Sequence, residues 1–151
     1  MGPFTKWGID YMTCNQVLAR GHKYIIVVVD YFTKWAEAMP TFKVDGETIA
    51  FFIFNQIIAR FDIPKDIGTD HGSHFQNSMI TELDTILGSK QEQSSSFYLQ
   101  ENSQVEAVNN TLKTILKCTI NTIQSDWHIM LYPALWAYET NVKTATGFSP
   151  F

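Results

Sequence analysis

The stretch over residues 24–31, YIIVVVDY, constrains the fold of this chain more than any other. It is rich in β-branched residues and almost wholly apolar, so it reads as a strand buried on both faces. A sheet built around such a strand needs cover on each side, which points to an α/β architecture. Further strands are predicted over residues 7–13, 34–39 (stopped by Pro40) and 66–69, with a fifth, edge strand at 90–93. The first three would form an antiparallel meander. Between Gly46 and Arg60, the residues Ile49, Phe52, Ile53, Gln56 and Ile57 share one broad helical face, and Pro64 marks the end of that helix. Helices are also predicted over 77–87 (ended by Gly88), 103–123 and 127–142, with turns at 17–22 and 71–73 and a polar loop at 94–102. With 151 residues, 45% of them hydrophobic and 14% aromatic, the chain can bury one sizeable core. The expectation is a single domain over 1–151, holding a five-stranded mixed sheet flanked by helices.

Three acids stand out against this frame. Asp10 lies inside the first predicted strand, Asp70 at the C-terminal edge of the fourth, and Glu106 near the start of the long helix. Thirty-five residues separate Asp70 from Glu106. Oxygen-only ligands suit Mg²⁺ or Mn²⁺ rather than zinc. Two such ions about 3.5–4 Å apart activate a nucleophile and stabilise a leaving oxygen in phosphodiester chemistry. Each acid also has a purely structural reading. A strand acid facing solvent is ordinary. Asp70-His71-Gly72 is good turn chemistry. Ser103-Gln104-Val105-Glu106 matches the S-x-x-E capping box, in which the Glu folds back on its own helix. A ligand Glu106 would point toward Asp10 and Asp70 instead.

The long helix carries Val105, Val108, Leu112, Ile115, Leu116 and Ile123 on one apolar face. Glu106, Asn110, Lys113 and Lys117 recur at helical steps as a separate polar stripe. That stripe suits a nucleic-acid end, with Lys113 and Lys117 on phosphate and Asn110 reaching a base or sugar.

Six phrases, in order, resemble the integrase catalytic core of gypsy-type LTR retrotransposons and retroviruses. They are KWGIDYM, GHKYIIVVVDYFTKWAEAMP, ETIAFFIFNQIIARFDIPKDIGTDHGSHF, QVEAVNNTLKTIL, DWHIMLYPALWAYETN and TGFSPF, so the similarity covers about residues 3–151. The acid spacing is similar to that family's Asp, Asp, thirty-five residues, Glu pattern. The resemblance implies a ribonuclease-H-like fold. It implies trimming of DNA 3′ ends and then attack of the new 3′-hydroxyl on target DNA. It implies two Mg²⁺ or Mn²⁺ ions held by Asp10, Asp70 and Glu106, with Asp10 bridging both. His71 and Asn102 would lie beside the DNA with Asn110, Lys113 and Lys117. The partners implied are DNA and further copies of the chain, as a homodimer or higher multimer through the helices at 103–123 and 127–142, in the nucleus or cytoplasm. A nuclease of RNA–DNA hybrids would share the acids, but the flanking phrases argue against it.

Several positions depart from the family pattern. His71 stands for the usual Asn and Ser103 for the usual Gly. SSSFYLQENS lacks the two prolines and the glycine of the family's loop, which raises loop entropy and narrows its backbone choices. Glu139 in WAYETN replaces an Arg, and with Glu92 and Glu101 it reads as a charge that weakens attraction to DNA. The net charge of −4 is low for a DNA-binding protein. These features support a second reading, a catalytically silent or domesticated module that binds nucleic acid or protein. The family carries a zinc-binding domain before the core and a basic domain after it. His22, His71, His74, His128, Cys14 and Cys118 show no zinc-finger spacing, so the chain reads as a core without its flanking domains. The two cysteines form no disulfide framework, and Cys14 has no convincing His partner for nucleophilic catalysis. Trp127, Trp136 and Tyr138 read as core or interface residues, and His128 as a helix-start residue. No apolar run reaches the roughly 18–20 residues that span a bilayer.

Overall fold

The structure, a computed structural model, describes residues 2–13, 23–69, 73–88, 110, 114, 127–141, 143 and 146–150. Its sheet has the order β3-β2-β1-β4, with β1 at Lys6–Thr13, β2 at Tyr24–Asp30, β3 at Ala36–Thr41 and β4 at Asp66–Thr69. The first three strands are the expected antiparallel meander, and β4 runs parallel to β1, which makes the sheet mixed. Four strands are present among the described residues rather than five. The strand expected at 90–93 lies outside them, as do the turn at 17–22 and the loop at 94–102.

β2 is buried on both faces, and its two sets of alternating side chains enter two separate cores. Ile25, Val27 and Val29 pack with Ala36 and Ala38 of β3 and with Leu131, Ala134, Leu135 and Tyr138. The latter four lie on helix α3, Trp127–Thr140. Ile26 and Val28 pack on the other side with Trp7, Ile9 and Ile67. That second core is closed by Ile49, Phe52, Ile53 and Ile57 from α1, which starts at Gly46–Ile53, and by Met79 and Leu83 from α2, Ser73–Leu87. The sheet is therefore the middle layer of three.

Local chemistry sets the element ends. Asp45 caps α1 by accepting the Thr48 N–H at 2.8 Å. The helix widens into a π-helical stretch, Phe54–Ile58, and closes with one turn, Ala59–Phe61. Asp62 then takes φ 95°, a left-handed conformation unusual for a residue with a Cβ, and ends the helix two residues before Pro64. Lys65 and Asp66 donate their N–H groups to Thr5 O, which leads the chain back alongside β1.

Three expected boundaries are corrected. β3 does not stop before Pro40 but runs through it, with Pro40 opposite Ile25. This strand is at the edge of the described sheet, where a missing N–H interrupts no second ladder. α2 begins at Ser73 rather than near residue 77, so Ser73 belongs to the helix and not to a turn. Its polar first turn hides the apolar period. α3 ends at Thr140 rather than at 142 and holds an exposed Pro133. Of the long helix expected at 103–123, Asn110 and Thr114 are described. Both are helical and exposed, and Thr114 Oγ1 donates to Asn110 O at 2.9 Å.

One fully buried carboxylate ties the chain start to the sheet. Asp30 Oδ1 accepts the Phe4 N–H at 3.1 Å, and Oδ2 accepts the Thr33 N–H at 2.8 Å and the Thr33 hydroxyl at 2.6 Å. Lys34 follows with φ 66° and is itself nearly buried. Burial pulls its ammonium below the usual lysine range, against the pull of Asp30.

Candidate active site

β1 alternates, so Trp7, Ile9 and Tyr11 face α1 and α2 while Asp10 turns to the opposite face, across from Val27. Asp10 is half-buried. Its Oδ1 accepts the N–H of Tyr11 at 2.8 Å, which restricts rotation of the carboxylate. Pairing with β4 runs from Lys6↔Asp66 to Ile9↔Thr69 and is described no further. The two parallel strands therefore reach the same level at Ile9 and Thr69, the residues that precede Asp10 and Asp70. This level is the carboxyl end of β4, the kind of place at which ligands gather in open α/β sheets.

Asp70, His71, Asn102, Glu106, Lys113 and Lys117 lie outside the described residues, as do Glu92, Glu101, Cys14 and Cys118. The mutual distances of the three acids are thus not among the described geometry. Asn110 is described and presents an exposed helical position. Among the described residues, no group of three or more His, Cys, Asp or Glu side chains gathers as a metal site.

On the face opposite Asp10, Tyr11 meets Tyr24 edge-on, with ring centroids 6.3 Å apart, and Phe75 at 6.1 Å with the planes tilted by 45°. Phe75 is the third residue of α2, so the helix that follows Asp70 is seated directly against the strand that carries Asp10.

Glu139 was expected as a surface charge, and the structure corrects this: it is 7% exposed. Burial pushes its carboxyl up to about 7, and the neighbouring Glu37 charge adds to the rise, while Arg60 and Lys143 oppose it. Glu37 is held by Arg60 at 2.5 Å and by Trp35 Nε1 at 2.9 Å. Lys143 sits 3.4 Å over the Tyr138 ring and donates to Tyr138 O. The position of Glu139 is legible in helical spacing, because it falls four residues after Leu135 and eight after Leu131, both buried. Of the aromatic pair on the same helix, Tyr138 is buried and Trp136 is 54% exposed. The side chains of Trp127 and His128 are outside the described set.

The sequence matches the family described as "Integrase core domain" over residues 2–97. It is 35% identical over 150 residues to the Gag-Pol polyprotein of baboon endogenous virus (strain M7), covering 99% of this chain and 9% of that protein. It is 32% identical over 150 residues to the Pol polyprotein of radiation murine leukemia virus (strain Kaplan), covering 99% of this chain and 26% of that protein. The chain thus spans a small part of the length of these relatives. The fold is similar to a solved structure of the HTLV-2 integrase catalytic core domain in complex with magnesium, in a trimeric form. That match has a TM-score of 0.68 and 20% identity, over 98% of this chain and 94% of the other.

Proposed function

The chain belongs to the integrase core domain family, and on that premise we propose that it is a polynucleotidyl transferase core acting on DNA. In this reading it trims 3′ ends and then joins the new 3′-hydroxyl to target DNA. The observation that carries the reading is the parallel register of β1 and β4, which brings Ile9 level with Thr69, each one residue before an acid. We assign Asp10, Asp70 and Glu106 as the ligands of two Mg²⁺ or Mn²⁺ ions. The donor set fits, since all three offer carboxylate oxygens. The solved HTLV-2 neighbour is a magnesium complex, which supports the same class of ion here. When bound, such a pair lowers the pKa of the attacking hydroxyl and stabilises the leaving 3′-oxygen.

The protein's own part is placement. The Tyr11 N–H orients Asp10. Lys113 and Lys117 neutralise phosphate, and Asn110, Asn102 and His71 contact the DNA end. Asn110 supports this by its exposed helical position. The proposed partners are DNA and other copies of the chain, met in the nucleus or cytoplasm. No helix among the described residues is long and apolar enough to cross a membrane. We assign 1–151 as a single domain.

The test is Mn²⁺-dependent disintegration of branched DNA by the wild type, Asp10→Asn, Asp70→Asn and Glu106→Gln. Each substitution is expected to abolish the activity while leaving the circular dichroism spectrum and Tm near wild type. Retained activity in Asp10→Asn or Asp70→Asn removes that residue from the site. An inactive wild type with no saturable Mn²⁺ binding favours the second reading, a silent binding module in which Glu106 caps its own helix.

A further inference from the structure

We propose that Tyr11 is a positioning residue that locks the Asp10 carboxylate to the first turn of α2, a role that rests on the reading of Asp10 as a metal ligand. Tyr11 is held at two ends. Its backbone N–H bonds to Asp10 Oδ1 at 2.8 Å on one side of the strand. Its ring, on the other face of the sheet, lies 6.1 Å from Phe75 and 6.3 Å from Tyr24. Tyr24 is its diagonal cross-strand neighbour, since Tyr11 pairs with Ile26. Phe75 is in turn fixed by the rest of α2, where Met79 and Leu83 are buried and Ser78 backs onto Gly46.

The consequence concerns the residues on either side of Asp70. Thr69 is attached to β1 by its pairing with Ile9, one residue before Asp10. Phe75 is attached to β1 through Tyr11, one residue after Asp10. Three consecutive residues of β1 thus carry the ligand and anchor the segment on each side of Asp70. An aromatic ring suits this task because it is rigid and reaches a diagonal neighbour, which a Leu at the same place does not do as well. Ligand sites lose function when their support is loose by fractions of an ångström.

The experiment is Mn²⁺ titration calorimetry on the full chain, with thermal melts and amide hydrogen exchange of the same samples. Tyr11→Leu is expected to weaken Mn²⁺ binding by about 10–100-fold, the usual cost of losing a partner that orients a metal ligand. It should also speed exchange of the Asn77 and Ser78 amides, which donate to carbonyls of the first turn of α2, while α3 stays protected. Tyr11→Phe should keep wild-type affinity, because the ring and the backbone N–H remain. Ile57→Ala, a core substitution in the π-helical stretch after α1, should lower Tm and leave the affinity alone. Wild-type affinity in Tyr11→Leu overturns the proposal, as does an equal loss in Tyr11→Phe. If Tyr11→Leu does not fold, Phe75→Leu decides: weakened binding supports the lock and unchanged binding overturns it. Equal affinity in the wild type and Asp10→Asn overturns the metal role of Asp10 itself, and the lock falls with it.

Discussion

Glu139 and Asp30 are both buried acids, and their surroundings treat them differently. Asp30 accepts three hydrogen bonds from Phe4 and Thr33, so its burial is compensated. Glu139 faces Glu37 from a place largely out of water, and its carboxyl stays protonated up to about pH 7. An acid whose folded pKa lies above its unfolded value makes the folded state bind more protons between the two values. Stability therefore falls as pH rises from about 4.5 to about 7, and the full penalty is present above that window. Glu139→Gln should accordingly raise stability by about 1–3 kcal/mol at pH 8 and change it little at pH 4.5. Urea melts at the two pH values measure the difference, and an equal effect at both would deny the shift. The same protonation reduces the negative charge at Glu139 near neutral pH, against its expected repulsive role.

At the scale of elements, the helices on one face of the sheet are set by a close approach. A Cβ added at Gly46 would run into Ser78 Oγ and come 2.8 Å from the Ser78 carbonyl carbon and 3.0 Å from Met79 N. The last two are backbone atoms and cannot swing aside, so the first turn of α1 needs glycine here. Gly46→Ala should destabilise the fold by about 1–3 kcal/mol despite the better helix propensity of Ala. Chemical denaturation reads this directly, and a stabilised variant would show that the two helices can part without cost. Glycine at a helix start is legible in the sequence only as a weak cap, because the residue it must avoid is thirty-two positions away. The same limit explains the late expected start of α2. Ser73 to Ser78 offers one aromatic among polar residues, and Phe75 becomes an anchor only when Tyr11 is beside it.

At the scale of the molecule, the three-layer arrangement leaves Ile129, Tyr132 and Trp136 exposed at helical spacing along the outside of α3, at 59%, 61% and 54%. Large apolar side chains grouped in this way mark association surfaces. They lie within one of the two stretches expected to mediate self-association. If copies of the chain pair through this stripe, Tyr132→Glu should shift the protein toward monomer by about tenfold or more in dissociation constant, since a buried unpaired carboxylate is costly. Sedimentation velocity over a concentration series measures the shift, and an unchanged distribution would place the interface elsewhere.

The presence of the strands, the double burial of β2 and the helical cover followed from local periodicity, which records which sides of a segment avoid water. The three acids could be singled out by residue type and spacing, and Asp10 could be placed on its strand. Tertiary packing alone decided that Ile9 and Thr69 stand side by side, that Tyr11 meets Phe75 and that Glu139 is buried within the field of Glu37. Periodicity describes a segment against a generic apolar neighbour. Which neighbour it meets, and whether a charge there is satisfied, depends on partners far along the chain that only the folded arrangement brings into contact.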